Sequence, residues 1–247
     1  MILYPTIELQ NGRPVSLFRG RLEEPQIWHV DPVARAREFA AAGADWVHVT
    51  DMDAVAGTGN NNEILEDLIL HAGLPVQLGG GFRSMEAIEK WIDKGAGRIV
   101  LGTIGVVQPQ LVKQAAKRWP DQIVLAVDVW HGQVMSHGWK ETSSFAPVDF
   151  VKAFEADPLA AVIVTDIHAD IGEAEEPLAL VTQVAAECNK PVISRGLVRD
   201  LDGLSRLKYV PHVAGALVGR ALFDRTIDLA EALALAQARA EPTAEFI

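Results

Sequence analysis

Acidic residues stand at the ends of several short runs rich in Val and Ile: Glu8, Asp51, Asp128 and Asp166, with Asp170 a few residues beyond the last. Such a spacing points to proton transfer. A carboxyl group partly shielded from water can donate a proton at neutral pH while a second, ionised, accepts one. Glu8 and Asp128 close corresponding runs 120 residues apart and are the expected acid/base pair. Asp51 and Asp166 are expected to orient neighbours or anchor loops. Glycines close the other runs. Gly80 and Gly81 precede a Ser84-capped helix, and Gly102-Thr103 follow the next run. Without a Cβ, their backbone N–H groups can approach an anion closely, and the helix start behind adds a favourable dipole. Gly196 and Gly219-Arg220 repeat the device in the second half of the chain. Two phosphate sites are therefore expected, with Arg83 and Arg220 as candidate charges.

Other reactive side chains read differently. His48 lies between Val47 and Val49 and is expected to be a hydrogen-bonded core residue rather than a base. His131, His137 and His168 fall in loops without metal-site spacing, so no metal is expected. Residues 132–139 suggest a hairpin or lid, whose Trp139 either stacks on a planar substrate ring or packs the loop. The single cysteine, Cys188, excludes an internal disulfide and a multi-thiolate zinc site.

The elements that must position these residues alternate in kind. Strands are expected at 2–9, 46–50, 75–78, 98–101, 123–127, 160–164, 191–194 and 214–218. Helices are expected at about 31–43, 62–71, 85–94, 109–119, 147–155, 177–188, 201–207 and 228–240, with a loose tail at 241–247. Asp31 and Ser84 are the expected caps of the first and third helices. Eight strand-then-helix units in this length point to a single α/β domain, a (β/α)8 TIM barrel over residues 1–240. A doubly wound sheet would need a phosphate loop after its first strand, and Glu8-Leu9-Gln10-Asn11-Gly12 is not one. An internal repeat divides the barrel into half-barrels of about 1–120 and 121–240. Thr50-Asp51 returns as Thr165-Asp166, Gly79–Arg83 aligns with Ser194–Val198, and Leu101-Gly102-Thr103 aligns with Val218-Gly219-Arg220. In a barrel the C-terminal strand ends form the active face, so the acids and glycines converge there.

Composition sets the boundaries. The chain has 247 residues, 49% hydrophobic and 22% charged, which excludes disorder. The uncharged run 99–112 is shorter than the ~18 residues of a spanning helix and is broken by glycines and a proline. The first residues carry no basic or apolar leader pattern, so a cytoplasmic protein is expected. The formal charge of −11 opposes binding to nucleic acid or anionic membranes. A monomer or weak homo-oligomer is expected.

The segments Pro5–Gly12, His48–Asp53, Gly79–Ser84, Leu101–Thr103, Val127-Asp128, Gly138-Trp139, Thr165–Ile167 and Val218–Leu222 together resemble the phosphoribosylformimino-5-aminoimidazole carboxamide ribotide isomerases of histidine biosynthesis. The resemblance runs in order along nearly the whole chain. The same superfamily includes a cyclase subunit, and the Gly138-Trp139 loop favours the isomerase. The resemblance implies a substrate with a phosphate at each end and a cofactor-free Amadori rearrangement of an aminoaldose to an aminoketose. It places Glu8 at the base, Asp128 at the acid, and Thr165 and Asp170 at supporting active-site positions. It also marks departures. The family has aspartate at Glu8, and an arginine is common at Ser16. Its sixth loop reads Asp-Ile-Ser-Arg-Asp-Gly where this chain has Asp166–Ile171, with the acidic stretch 173–176 following. Its seventh turn reads Ser-Gly-Gly where this chain has Ser194-Arg195-Gly196, so Arg195 either intrudes on the second phosphate or binds it. The alternatives are a divergent paralogue that binds or isomerises another phosphosugar, and a non-catalytic phosphosugar-binding barrel.

Overall fold

The computed structural model describes residues 1–18, 21–167 and 175–238. Eight parallel strands form its centre: β1 (Ile2–Gln10), β2 (Val47–Asp51), β3 (Val76–Gly79), β4 (Arg98–Leu101), β5 (Ile123–Trp130), β6 (Ala161–Asp166), β7 (Val192–Arg195) and β8 (Val213–Val218). Each pairs with the next, and β8 pairs back onto β1, so the sheet closes. The helices between them are α1 (Pro32–Ala41), α2 (Asn62–His71), α3 (Met85–Asp93), α4 (Pro109–Arg118), α5 (Pro147–Lys152), α6 (Glu175–Glu187), α7 (Leu201–Lys208) and α8 (Leu229–Gln237). This is the (β/α)8 barrel that the alternation predicts.

Strand periodicity sorts the side chains into two cores. On β2, Val47 and Val49 face the helices and join the large outer core, while His48 and Thr50 take the inner face. On β5, Ile123, Leu125 and Val127 face outward, and Val124, Ala126 and Asp128 inward. A smaller cluster of Tyr4, Val100, Val124, Ile163, Ile193 and Leu217 fills the barrel interior. That plug is the floor on which the mouth residues stand.

Local chemistry sets the element boundaries. The Asp31 carboxylate accepts from the N–H of Ala34 at 2.7 Å, Ser84 Oγ from Ala87 at 3.2 Å and Asp200 from Gly203 at 2.7 Å, each opening a helix. Several boundaries differ from expectation. Strand β5 runs to Trp130 because it turns back on a hairpin strand, Gln133–Ser136, through His131 and Gly132, both at positive φ (48° and 77°). Strand β1 does the same through Asn11 and Gly12 (50° and 73°) onto Arg13–Ser16. Positive φ at both turn residues matches the twist of paired strands, and Asn-Gly is its clearest sequence signal. The hairpin after β1 was not expected from the sequence. Helix α5 ends at Lys152 rather than near 155, and α8 is described to Gln237. Three short helices, Met52–Ala56, Thr103–Val107 and Arg220–Phe223, were not anticipated, because each is too short to show a period. The expected tail at 241–247 lies outside the described residues.

Candidate active site

The inner-face residues at the C-terminal strand ends border two adjoining cavities. The larger, about 470 Å³, is lined among others by His48, Gly80, Gly81, Arg83, Gly102, Thr103 and Asp128. The smaller, about 140 Å³, is lined by Glu8, Thr165, Gly196, Gly219 and Arg220. Trp139, Arg195 and Leu217 line both and form the wall between them. The two acids thus sit one to each cavity.

Asp128 is held by the lid. The hairpin beyond β5 folds over the mouth, and the Trp139 indole N–H donates to Asp128 Oδ2 at 2.7 Å. The backbone N–H of His137 donates to Thr103 Oγ1 at 2.9 Å, tying the lid to the turn after β4. Of the two roles open to Trp139, the structure shows the ring fixed against the acid and facing both cavities. Glu8 is bonded by the guanidinium of Arg195 from β7.

The glycine turns are built as a close approach demands. Gly80 has φ +111°, and a Cβ there would come within 2.4 Å of the Asp51 carbonyl oxygen. At Gly81, with φ +72°, a Cβ would meet that of Ala54 at 2.6 Å. Both positions of this turn therefore exclude side chains and leave backbone facing the large cavity. After β4 and β8 the chain takes nearly the same path. Gly102 has φ −104°, ψ −95° and Gly219 has φ −109°, ψ −89°, each opening a short helix. Arg220 lines the small cavity while Nη2 donates to the Leu17 carbonyl at 2.7 Å and Nε is buried without a partner. Arg83 reaches the Ala54 carbonyl at 3.4 Å.

Not every expected residue arrives. Ser194 is 1% exposed and lines neither cavity, because strand alternation turns it to the face opposite Arg195. Asp170, with the whole stretch 168–174, lies outside the described residues. Thr165 lines the small cavity with its buried Oγ1 unpartnered, so the hydroxyl is available to a ligand. Asp51 anchors a loop, as expected. It accepts from the Ala54 N–H, and from the backbone and side-chain N–H groups of Asn61 at 2.8 and 2.7 Å. Asn61 also donates to Asp53, which accepts the Asn11 N–H at 2.7 Å.

His48 combines a core role with one that sequence reasoning missed. It is 2% exposed and hydrogen-bonded, but its ring forms part of the large cavity's floor. Its Nδ1 lies 3.1 Å from the Gln77 amide nitrogen and its Nε2 lies 2.9 Å from Thr50 Oγ1. Burial, and then the charge of Arg195, push its pKa down to about 3. The signal was present in the alternation, since residues 48 and 50 share the inner face of β2. Among the described residues no cluster of His, Cys, Asp and Glu could hold a metal ion. Among them, too, no helix is long and apolar enough to cross a membrane.

The sequence profile of the histidine biosynthesis protein family matches residues 2–228. The chain belongs to this family. It is 55% identical, over the full length of both chains, to 1-(5-phosphoribosyl)-5-((5-phosphoribosylamino)methylideneamino) imidazole-4-carboxamide isomerase 2 of Ruegeria pomeroyi. A second Ruegeria strain has two proteins of that name. Its isomerase 1 is 52% identical over the full length of both chains. Its isomerase 2 is 40% identical, covering 95% of this chain and 99% of its own. Within the histidine biosynthesis family, the present chain is thus more similar to one of that strain's two isomerases than to the other.

Proposed function

We propose that this chain is the aldose–ketose isomerase that converts phosphoribosylformimino aminoimidazole carboxamide ribotide to its ribulosyl form. The observation that carries the reading is the placement of Glu8 and Asp128, one at each of two adjoining cavities whose far sides carry glycine turns. A ligand with a phosphate at each end spans such a mouth. One phosphate rests on Gly80, Gly81, Gly102 and Thr103 near Arg83, the other on Gly196, Gly219 and Arg220. The reacting sugar then lies between the acids. Asp128 protonates the ribose ring oxygen, and the ring opens to a protonated Schiff base. Glu8 takes the proton from C2′, leaving an enolamine. The enolamine becomes the aminoketose as Glu8 gives its proton to C1′ and the ionised Asp128 takes the proton of the C2′ hydroxyl, so both carboxyl groups return to their starting states. Trp139 holds Asp128, and the lid limits water at the opened intermediate. No cofactor enters these steps. A cytoplasmic location and a half-barrel origin belong to the same reading; the matched Gly102 and Gly219 conformations support the latter.

The test is direct. Purified protein is mixed with the ribotide and the absorbance change of its isomerisation is followed. Turnover above about one per second is expected. Glu8→Gln and Asp128→Asn each abolish it with the melting temperature preserved. Full activity in both variants overturns the reading.

A further inference from the structure

Glu8 and Arg195 pair although their strands are not neighbours. Strands β1 and β7 flank β8, so their backbones lie about two strand spacings apart, roughly 9–10 Å. A long acid and a longer base close that gap across the mouth, with Arg195 Nη2 donating to Glu8 Oε1. Both side chains are largely shielded, at 12% and 22% exposure. The guanidinium lines both cavities, whereas Glu8 lines only the smaller. Arg195 is also the charged neighbour felt by His48 across the mouth. One cation therefore stands where a ligand running between the cavities must pass.

That geometry decides how Glu8 works. A free glutamate has three side-chain torsions and samples many carboxylate positions. A base must lie within hydrogen-bond reach of the proton it takes. Arg195 holds the carboxylate through one guanidinium N–H, on Nη2, and keeps further N–H donors for other partners. We propose that Arg195 is a positioning residue of the isomerase, its guanidinium, in the wall between the two cavities, holding the Glu8 carboxylate in the smaller one. This rests on the reading of Glu8 as the base. It also gives the length of Glu8 a reason, since an aspartate would withdraw its carboxylate from Arg195 by about one C–C bond.

Steady-state kcat and KM for the ribotide, and melting temperatures, are measured for the wild type, Arg195→Met, Arg195→Lys, Glu8→Asp and the double variant Glu8→Asp/Arg195→Met. Arg195→Met is expected to lower kcat about 100-fold, the scale of an ångström's misplacement, with KM of the same order of magnitude. Arg195→Lys, which keeps the charge but not the guanidinium, falls between it and the wild type. Glu8→Asp also lowers kcat. The double variant is no slower than the slower single one, because both singles break one contact. A wild-type kcat in Arg195→Met, or fully additive losses in the double variant, overturns the proposal. If Arg195→Met does not fold, Glu8→Asp carries the test, and a wild-type kcat there overturns it equally. An active wild type with unaffected variants removes the positioning role alone. A wild type without turnover removes the isomerase reading and this role together.

Discussion

His48 stays neutral across the working pH of most enzymes, and its burial has a measurable cost in acid. Unfolded, the imidazole takes a proton below about 6.5; folded, it takes one only near 3. Between those values the unfolded chain binds more protons. Stability therefore falls as pH drops through this window, by up to about 1.4 kcal/mol per pH unit. His48→Gln, which keeps polar contacts to Thr50 and Gln77, should flatten that part of the stability–pH curve measured by urea unfolding. Trp139 is argued at the same scale. Trp139→Phe keeps an aromatic ring but removes the N–H that holds Asp128. That bond strengthens as Asp128 ionises on giving up its proton, so its loss should lower kcat by roughly tenfold, with a smaller effect on the melting temperature. An unchanged kcat would mean that Asp128 needs no such support.

At the scale of elements, two devices hold the mouth open and in register. Asn61, at the start of α2, bridges the buried carboxylates of Asp51 and Asp53 and accepts the Gly12 N–H at 2.8 Å. It thereby joins the turn after β1 to the loop after β2. Asn61→Ala leaves those carboxylates short of donors and should destabilise the fold by about 2–4 kcal/mol, seen as a lower urea midpoint with unchanged slope. The Gly80 turn is the second device. Gly80→Ala forces a Cβ against the Asp51 carbonyl at a strained φ, with a cost of about 1–3 kcal/mol or more, and should also weaken ligand binding by displacing the backbone that faces the large cavity. Paired hairpins after β1 and β5 show how such elements follow from few residues. Asn11-Gly12 and His131-Gly132 stand 120 positions apart, as Glu8 and Asp128 do, and each turns its strand back over the mouth.

Over the whole molecule, a net charge of −11 surrounds a mouth that carries Arg83, Arg195 and Arg220. The long-range field repels an anionic ligand, and on the proposed reading the glycine turns with Arg83 and Arg220 receive it locally. A bisphosphorylated ligand that reaches both cavities ties the two halves of the closed sheet together. At a hundredfold excess over its Kd, the ribotide should stabilise the folded chain by about 2.7 kcal/mol, a rise of several degrees in melting temperature. Inorganic phosphate, which fills one end at a time, should give a smaller rise at the same concentration. Equal shifts from both ligands would argue against a bridging mode.

Much of this was legible in the chain itself, because the relevant forces act over a few residues. Period-two alternation sends Glu8, Asp128 and Thr165 to the inner face. Cap residues set helix starts at Asp31 and Ser84, and glycines mark the turns that need positive φ at Gly80 and Gly81. The same alternation, applied strictly, would have sent Ser194 to the helix side and His48 to the cavity floor. The Asn11-Gly12 hairpin was readable too. Other features depend on how the sheet closes. The Glu8–Arg195 pair joins residues 187 positions apart, and its existence rests on the barrel's stagger bringing β1 and β7 to either side of β8. The lid's ties from Trp139 to Asp128 and from His137 to Thr103 likewise need the hairpin laid over the mouth. Local pattern determined which residues face inward; closure of the barrel decided which of them touch.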